Sequence, residues 1–147
     1  MGMQEAIKVL KKIKIKIREP VVEITLKRNP GTINKVTDII RGNENLQDMV
    51  VTGEKGVTAI LSPENAASVE RELKNDVVAK NANTSQFILA MPEEAQKTPG
   101  IIYFLTKTLA EKEINIIDMF ACYSDVVLLV STKDREETVK TLNRITP

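Results

Sequence analysis

The sequence contains no histidine and no tryptophan, and its only cysteine among 147 residues is Cys122. Without histidine, the chain lacks the commonest general base and the commonest metal ligand. One cysteine excludes an internal disulfide and the usual structural zinc sites, and it fits a reducing compartment such as the cytoplasm. The sequence therefore predicts a cytoplasmic protein that is not an enzyme and that needs no metal or cofactor.

Signals for membranes, nucleotides and nucleic acids are also missing. No apolar run approaches the ~18 residues of a membrane span, and neither GxxxxGK[ST] nor GxGxxG occurs. The net charge is only +1 and aromatic residues make up 3%. The lysines at 11, 12, 14 and 16 fit the solvated face of an edge strand better than a phosphate-binding arm. We expect neither a membrane nor a nucleic acid as partner.

What the chain does contain is a repeat. Asn29-Pro30-Gly31 opens the run PGTINKVTDII, and Thr98-Pro99-Gly100 opens PGIIYFLTKTL 69 residues later. At the same offset, GVTAILS (56–62) falls on DVVLLVS (125–131), and a slip of one residue brings Asp48 onto Asp118. A repeat of this length indicates one supersecondary unit used twice.

Residue patterns predict the elements of the first copy and of the segment before it. A helix is predicted over residues 3–12 and an alternating strand over 12–18, ended by Glu19-Pro20. A second strand (21–28), a helix from Pro30 to about Arg41 with Asn29 as N-cap, a hairpin (46–52 with 57–61), a helix capped by Ser62 and a short strand (76–79) follow.

The second copy repeats this order. The pattern predicts a strand over 86–91, a loop over 92–97, a helix from Thr98 as N-cap to about Glu111, a hairpin (115–123 with 126–131) and a last helix capped by Asp134. No closing strand follows, so we expect the alternating N-terminal strand to pair with this sheet. The predicted division is a segment 1–20 that completes the second unit's sheet, a first unit 21–83 and a second unit 84–147.

These residues resemble the ACT domain. The βαββαβ order, the Pro-Gly at the strand–helix junction and the phrase LAEKEINIIDMFACYSDVVLLV (109–130) are similar to the regulatory, C-terminal region of aspartate kinases, and over 21–146 to stand-alone tandem ACT proteins of archaea. The resemblance implies an α+β protein of two ferredoxin-like βαββαβ units, with antiparallel sheets and helices on one face. It also implies regulatory binding of a small ligand, most often an amino acid, and pairing of ACT units.

Candidate ligand-binding residues lie at the two junctions. Gly31-Thr32 and Gly100-Ile101 would offer free backbone amides to a carboxylate, and Asp48 or Asp118 could accept the ammonium group. The remaining candidates are Asn29, Thr98 and, from the family phrase, Asn115. Ordinary helix-start geometry and solvated strand-end charges are the alternatives at these positions. The loop 92–97 is either a lid over Gly100 or a tolerated insertion.

The predicted function is regulatory binding of an amino acid or similar small ligand, without catalysis, by a homodimer. Ligand would stabilise one arrangement of paired units. The alternative is a ligand-free module that dimerises or docks a partner, such as a biosynthetic enzyme.

Overall fold

A computed structural model describes residues 2–43 and 47–146. Its elements, in chain order, are α1 (Gly2–Leu10), β1 (Lys14–Lys27), α2 (Thr32–Gly42), β2 (Met49–Thr52), β3 (Gly56–Leu61), α3 (Pro63–Glu72), β4 (Val77–Ala90), α4 (Ile101–Glu111), β5 (Ile116–Cys122), β6 (Asp125–Ser131) and α5 (Arg135–Ile145). The predicted α+β class with antiparallel strands and helices is confirmed. Residue 46, the predicted start of the first hairpin, lies outside the described residues.

The chain divides into two compact units. The central unit comprises residues 20–84, and the terminal unit comprises residues 1–19 with 85–147. The long strands β1 and β4 each contribute one half to either unit.

In the central unit the strand order is β2-β3-β1-β4. β3 pairs antiparallel with β1, from Val22 opposite Leu61 to Lys27 opposite Gly56, and β2 pairs antiparallel with β3. Helices α2 and α3 bury Val36, Ala66 and Val69 against the alternate residues Val22, Ile24 and Leu26 of β1. This side of the sheet therefore carries the apolar core of the unit.

In the terminal unit the order is β1-β4-β6-β5. The N-terminal half of β1 thus occupies an edge position, and the structure places it in the same compact unit as residues 85–147. Alternate residues of β4 and β6 (Phe87, Leu89, Leu128 and Val130) share one apolar core with helices α1, α4 and α5, and Leu10 of α1 is fully buried in it.

Two predicted breaks between strands are wrong. Glu19-Pro20 does not end a strand, since β1 runs unbroken for 14 residues, and the predicted strands 76–79 and 86–91 are parts of a single β4. Pro20 is tolerated because the pairing of β1 with β3 begins only at Val22, so the missing N–H falls outside that ladder. Among the described residues, no helix is long and apolar enough to cross a membrane.

Candidate functional site

A cavity of about 310 Å³ opens in the terminal unit at the start of α4. Its lining comes from the β4–α4 connection, the first turn of α4 and the β5–β6 hairpin: Met91, Ala95, Gln96, Thr98, Gly100, Ile101, Ile102, Tyr103, Ala121, Tyr123, Ser124, Asp125 and Val126. Its volume lies at the small end of the roughly 300–1,000 Å³ of small-molecule pockets. The cavity therefore suits a small ligand.

The start of α4 determines what the cavity can bind. Gly100 is the N-cap residue, in a left-handed conformation with φ 92°, and no side chain caps the helix there. The N–H groups of the first turn have no intrahelical acceptor, and the helix dipole makes this end attractive to anions. Gly100 and the first-turn residues Ile101 and Ile102 line the cavity. A carboxylate placed in it would lie near the helix end that attracts anions.

A short 3₁₀ turn, Glu93–Lys97, forms a wall of the cavity through Ala95 and Gln96. The Gln96 side-chain amide donates to the Tyr123 carbonyl at 3.0 Å, and the Met91 N–H donates to the Ser124 carbonyl at 2.7 Å. These two bonds tie the wall and the end of β4 to the β5–β6 hairpin. The region predicted as a loop is therefore an ordered wall.

The Lys12 ammonium reaches this wall from the N-terminal segment, at 2.5 Å from the Glu94 carboxylate. The hydrogen bond from Lys12 lowers the pKa of Glu94 below its ordinary value of 4.5. Both side chains are exposed to solvent, and pairs of this kind add little to stability. The contact nevertheless joins the N-terminal segment to the 3₁₀ turn of the wall.

The cavity depends on the length of the β4–α4 connection. The ends of β1 and β4 show the same burial pattern, with Leu26 and Leu89 buried before the exposed Lys27 and Ala90. From there the path to Gly100 is six residues longer than the path from Lys27 to Gly31. The extra residues form the 3₁₀ wall, which the central unit lacks within its described residues.

At the equivalent place in the central unit the connection is short. Thr32 N–H donates to the Asn29 carbonyl at 3.1 Å across Pro30-Gly31, and Gly31 has φ 85°, which is a type II turn. A pocket of about 390 Å³ lies beside this turn, lined by Arg28, Asn29, Pro30, Gly31, Ile33 and Asn34. The Arg28 guanidinium bonds the Gly53 carbonyl at 2.8 Å and so ties the turn to the β2–β3 hairpin.

The predicted N-caps Asn29 and Thr98 are wrong. Helices α2 and α4 begin after Gly31 and Gly100, so both Pro-Gly pairs lie outside the helices. The Asn29 side chain instead donates to Asp76 at 2.8 Å, and the Thr98 hydroxyl donates to the Glu94 carbonyl at 2.7 Å. Glycine in a left-handed conformation ends the turn, and this geometry outweighs the capping preference of the residue two positions earlier.

The predicted equivalence of Asp48 and Asp118 is also wrong. Asp118 lies inside β5 opposite Leu129, and Ile117 is an extra, bulged residue between Ile116 and Asp118. In the central unit the position opposite Ile60, the counterpart of Leu129, is held by Met49. The paired strands therefore correspond at the 69-residue spacing of the repeat, without the one-residue slip that aligned Asp48 with Asp118.

The two aspartates also differ in their contacts. Asp48 accepts hydrogen bonds from the Ser62 N–H at 3.1 Å and from the buried Asn65 amide at 2.6 Å, so it helps to fix the start of α3. Asp118 accepts from the N–H of its neighbour Met119. Neither residue lines the cavity at Gly100, and Asn115, exposed before β5, does not line it either.

Comparison with known proteins gives a family match for the segment that contains this cavity. Residues 91–144 match the ACT domain family. The match covers less than half of the chain, and it includes Met91, Gly100 and Asp125 of the cavity lining. None of the curated proteins has a sequence that matches the chain.

Solved structures similar to this one include parts of aspartate kinases. The regulatory subunit of aspartate kinase from Thermus thermophilus superposes with a TM-score of 0.69 at 13% identity, over 90% of this chain and 96% of that one. The aspartate kinase of Clostridium acetobutylicum, an allosteric enzyme, gives 0.71 at 15% identity, over 90% of this chain and 34% of that chain. E. coli aspartokinase III in complex with lysine and aspartate gives 0.64 at 17% identity, over 88% and 32%.

The chain thus spans about a third of the length of the whole aspartate kinases that it resembles. At these identities the likeness concerns the fold alone. Within the described residues, no group of three or more Cys, Asp or Glu side chains is arranged to hold a metal ion.

The sequence patterns predicted only three of the residues that line the cavity at Gly100. Of the predicted residues, the cavity brings together Thr98, Gly100 and Ile101, while Asn29 and Gly31 line the separate pocket of the central unit. Thr32 is buried, and its hydroxyl accepts from the Asn29 N–H. Asp125, Tyr103 and Tyr123 were missed. A sequence signal for the tyrosines does exist. The chain has only two, one in the first turn of α4 and one between β5 and β6.

Proposed function

We propose that this protein is a cytoplasmic regulatory module of two ACT units that binds a free amino acid, without catalysis, in the cavity at Gly100. The observation that carries the proposal is the pairing, in one cavity, of the uncapped start of α4 with the carboxylate of Asp125. The start of α4 could bind the ligand's carboxylate, and the Asp125 carboxylate could accept from its ammonium group. Lysine and aspartate in the matched aspartokinase III support this choice of ligand class.

Under this proposal, Asp125 replaces Asp118 as the acceptor of the ammonium group. The predicted residues Asn29 and Gly31 would form a second site in the central unit, with the buried Thr32 next to them in the chain. The module would pair with a second copy, and ligand would change the balance between two arrangements of the pair according to its differential affinity.

The test is a thermal-denaturation panel of the twenty free amino acids. A ligand at about 100 times its Kd adds about 2.7 kcal/mol to the unfolding free energy, which raises the Tm by several degrees for a chain of this size. Asp125→Asn should weaken the binding of the active amino acid by ~10–100-fold, because a charged hydrogen bond contributes roughly 1.5–3 kcal/mol.

Asp118→Asn is the matched control, since it removes a charge from the same hairpin but not from the cavity. Equal loss of affinity in both variants would contradict the role of Asp125. If no amino acid raises the Tm, the ligand-binding function is wrong.

That outcome would favour the second candidate, an interaction module that dimerises or docks a partner enzyme. The specific observation in its favour is the exposed apolar surface around the cavity mouth, where Ile102, Tyr103 and Tyr123 keep 39%, 59% and 85% of their surface accessible. Exposed apolar patches of this kind often mark protein contacts.

A further inference from the structure

The side chains around the Gly100 cavity also indicate which class of amino acid it accepts. Met91, Ala95, Ile101, Ile102, Ala121 and Val126 supply an apolar lining, and Tyr103 and Tyr123 add two rings. Apart from Asp125, the lining contains no charged side chain, and Gln96 and Thr98 already donate to backbone carbonyls. Away from Asp125 the lining is thus mainly apolar and uncharged, with Ser124 and the two tyrosine hydroxyls as its other polar groups.

Charge matching excludes several classes of side chain. A lysine or arginine ligand would need a second anionic acceptor besides the one that holds its α-ammonium group, and an aspartate or glutamate ligand would need a cation. The cavity lining offers neither. An apolar side chain would instead exchange water for methyl, thioether and ring contacts, which is favourable in proportion to the area buried.

We infer that the ligand of this cavity is an amino acid with an aliphatic or aromatic side chain, of the size of valine to phenylalanine. This inference rests on the proposed function, because it takes the cavity as the amino-acid site and specifies its side-chain pocket. The contacts that distinguish ligands would come from Met91, from Ile102 and from the two tyrosine rings in the lining. Tyr103 is held in part by Lys107, whose ammonium lies 5.9 Å from the ring centroid.

The chain offers a local probe of this site. It has no tryptophan, and both of its tyrosines line the cavity. Intrinsic tyrosine fluorescence therefore reports on the cavity, and binding can be titrated without a label. Leucine, isoleucine, valine, methionine and phenylalanine should each change this signal and bind at least ~10-fold more tightly than alanine or lysine, since burying such a side chain contributes roughly 1.5–3 kcal/mol.

Ile102→Gln tests the side-chain pocket, because the residue is partly exposed and its replacement should not disrupt the core. The variant should lose several-fold affinity for leucine while its affinity for alanine changes little. Met119→Gln is the control, since Met119 is also 36% exposed and lies in the neighbouring hairpin outside the cavity lining. It should leave the fluorescence titration unchanged.

The outcomes separate this inference from the function on which it rests. If lysine, threonine or aspartate binds and the apolar amino acids do not, the amino-acid site stands and the inferred ligand class is wrong. If no amino acid changes the fluorescence or the Tm, both fail. An equal effect of Ile102→Gln and Met119→Gln would also contradict the assignment of the pocket.

Discussion

Single glycines decide where the two equivalent helices begin. Gly31 and Gly100 adopt φ values of 85° and 92°, a region that L-residues enter only at a cost. Each follows a proline, and the Pro-Gly pair turns the chain from strand to helix. A Cβ built on Gly31 meets no atom within 4 Å, so packing does not require a glycine there. The left-handed backbone conformation does.

This gives a prediction for Gly31→Ala. We expect a loss of about 1–2 kcal/mol in the free energy of unfolding, from the left-handed backbone alone. Gly42→Ala is the control, since a Cβ there also meets nothing and the residue ends α2 without a positive φ. It should be neutral or stabilising by up to ~1 kcal/mol. Urea denaturation measures both, and equal effects would contradict the conformational explanation.

A second prediction concerns Glu94 in the cavity wall. Because Lys12 lowers its pKa in the folded state, the pair stabilises the protein above the ordinary pKa of the carboxyl group, and this contribution is lost as the pH falls through the lowered value. Lys12→Met should return the pKa of Glu94 toward 4.5. Carboxyl NMR titration measures this shift. An unchanged pKa in the variant would show that Lys12 does not contact the wall in solution.

Among the helices and strands, α1 and the first half of β1 precede the first copy of the repeat but belong to the terminal unit. Ala6, Val9, Leu10 and Ile13 are buried in the core of the terminal unit, together with Phe87 and Leu128. The strand half 14–19 takes the edge place beside β4. We propose that this segment completes the unit that follows β4, so that the ACT-matching residues 91–144 depend on it for their core.

Leu10→Ala tests this dependence. Removing a fully buried leucine should cost about 2–5 kcal/mol, and deletion of residues 1–19 should leave the remaining chain aggregated or unfolded. Lys8→Ala, at an exposed position of α1, is the control. Urea denaturation and gel filtration check these outcomes. A soluble, cooperatively folded deletion variant would show that the segment is dispensable.

For the chain as a whole, the repeat explains the likeness of its two units. The units differ in the length of the connection that leads to α2 or α4. Both units carry a Pro-Gly turn at the start of a helix, with a pocket beside it. In the central unit Arg28 bridges the short turn to the hairpin, whereas in the terminal unit a six-residue extension builds a separate wall. The extension makes the terminal unit the better candidate for ligand binding.

Local patterns in the chain were enough to predict the α+β class, most helices and both hairpins. Periods of two and of about 3.6 residues and the Ser62 cap, which accepts from the Asn65 N–H, all depend on neighbours in sequence. The alternation of Ile13, Ile15 and Ile17 likewise indicated the strand that occupies the edge of the terminal unit.

Other features depend on residues far apart in sequence, and only the folded structure reveals them. The continuity of β1 through Pro20 depends on where its neighbour begins to pair, and the place of Asp118 depends on the register of β5 against β6. Asp125 and the two tyrosines meet Gly100 because a hairpin and a helix start converge in space. Such convergence is a matter of strand register and connection length, which local propensity does not encode.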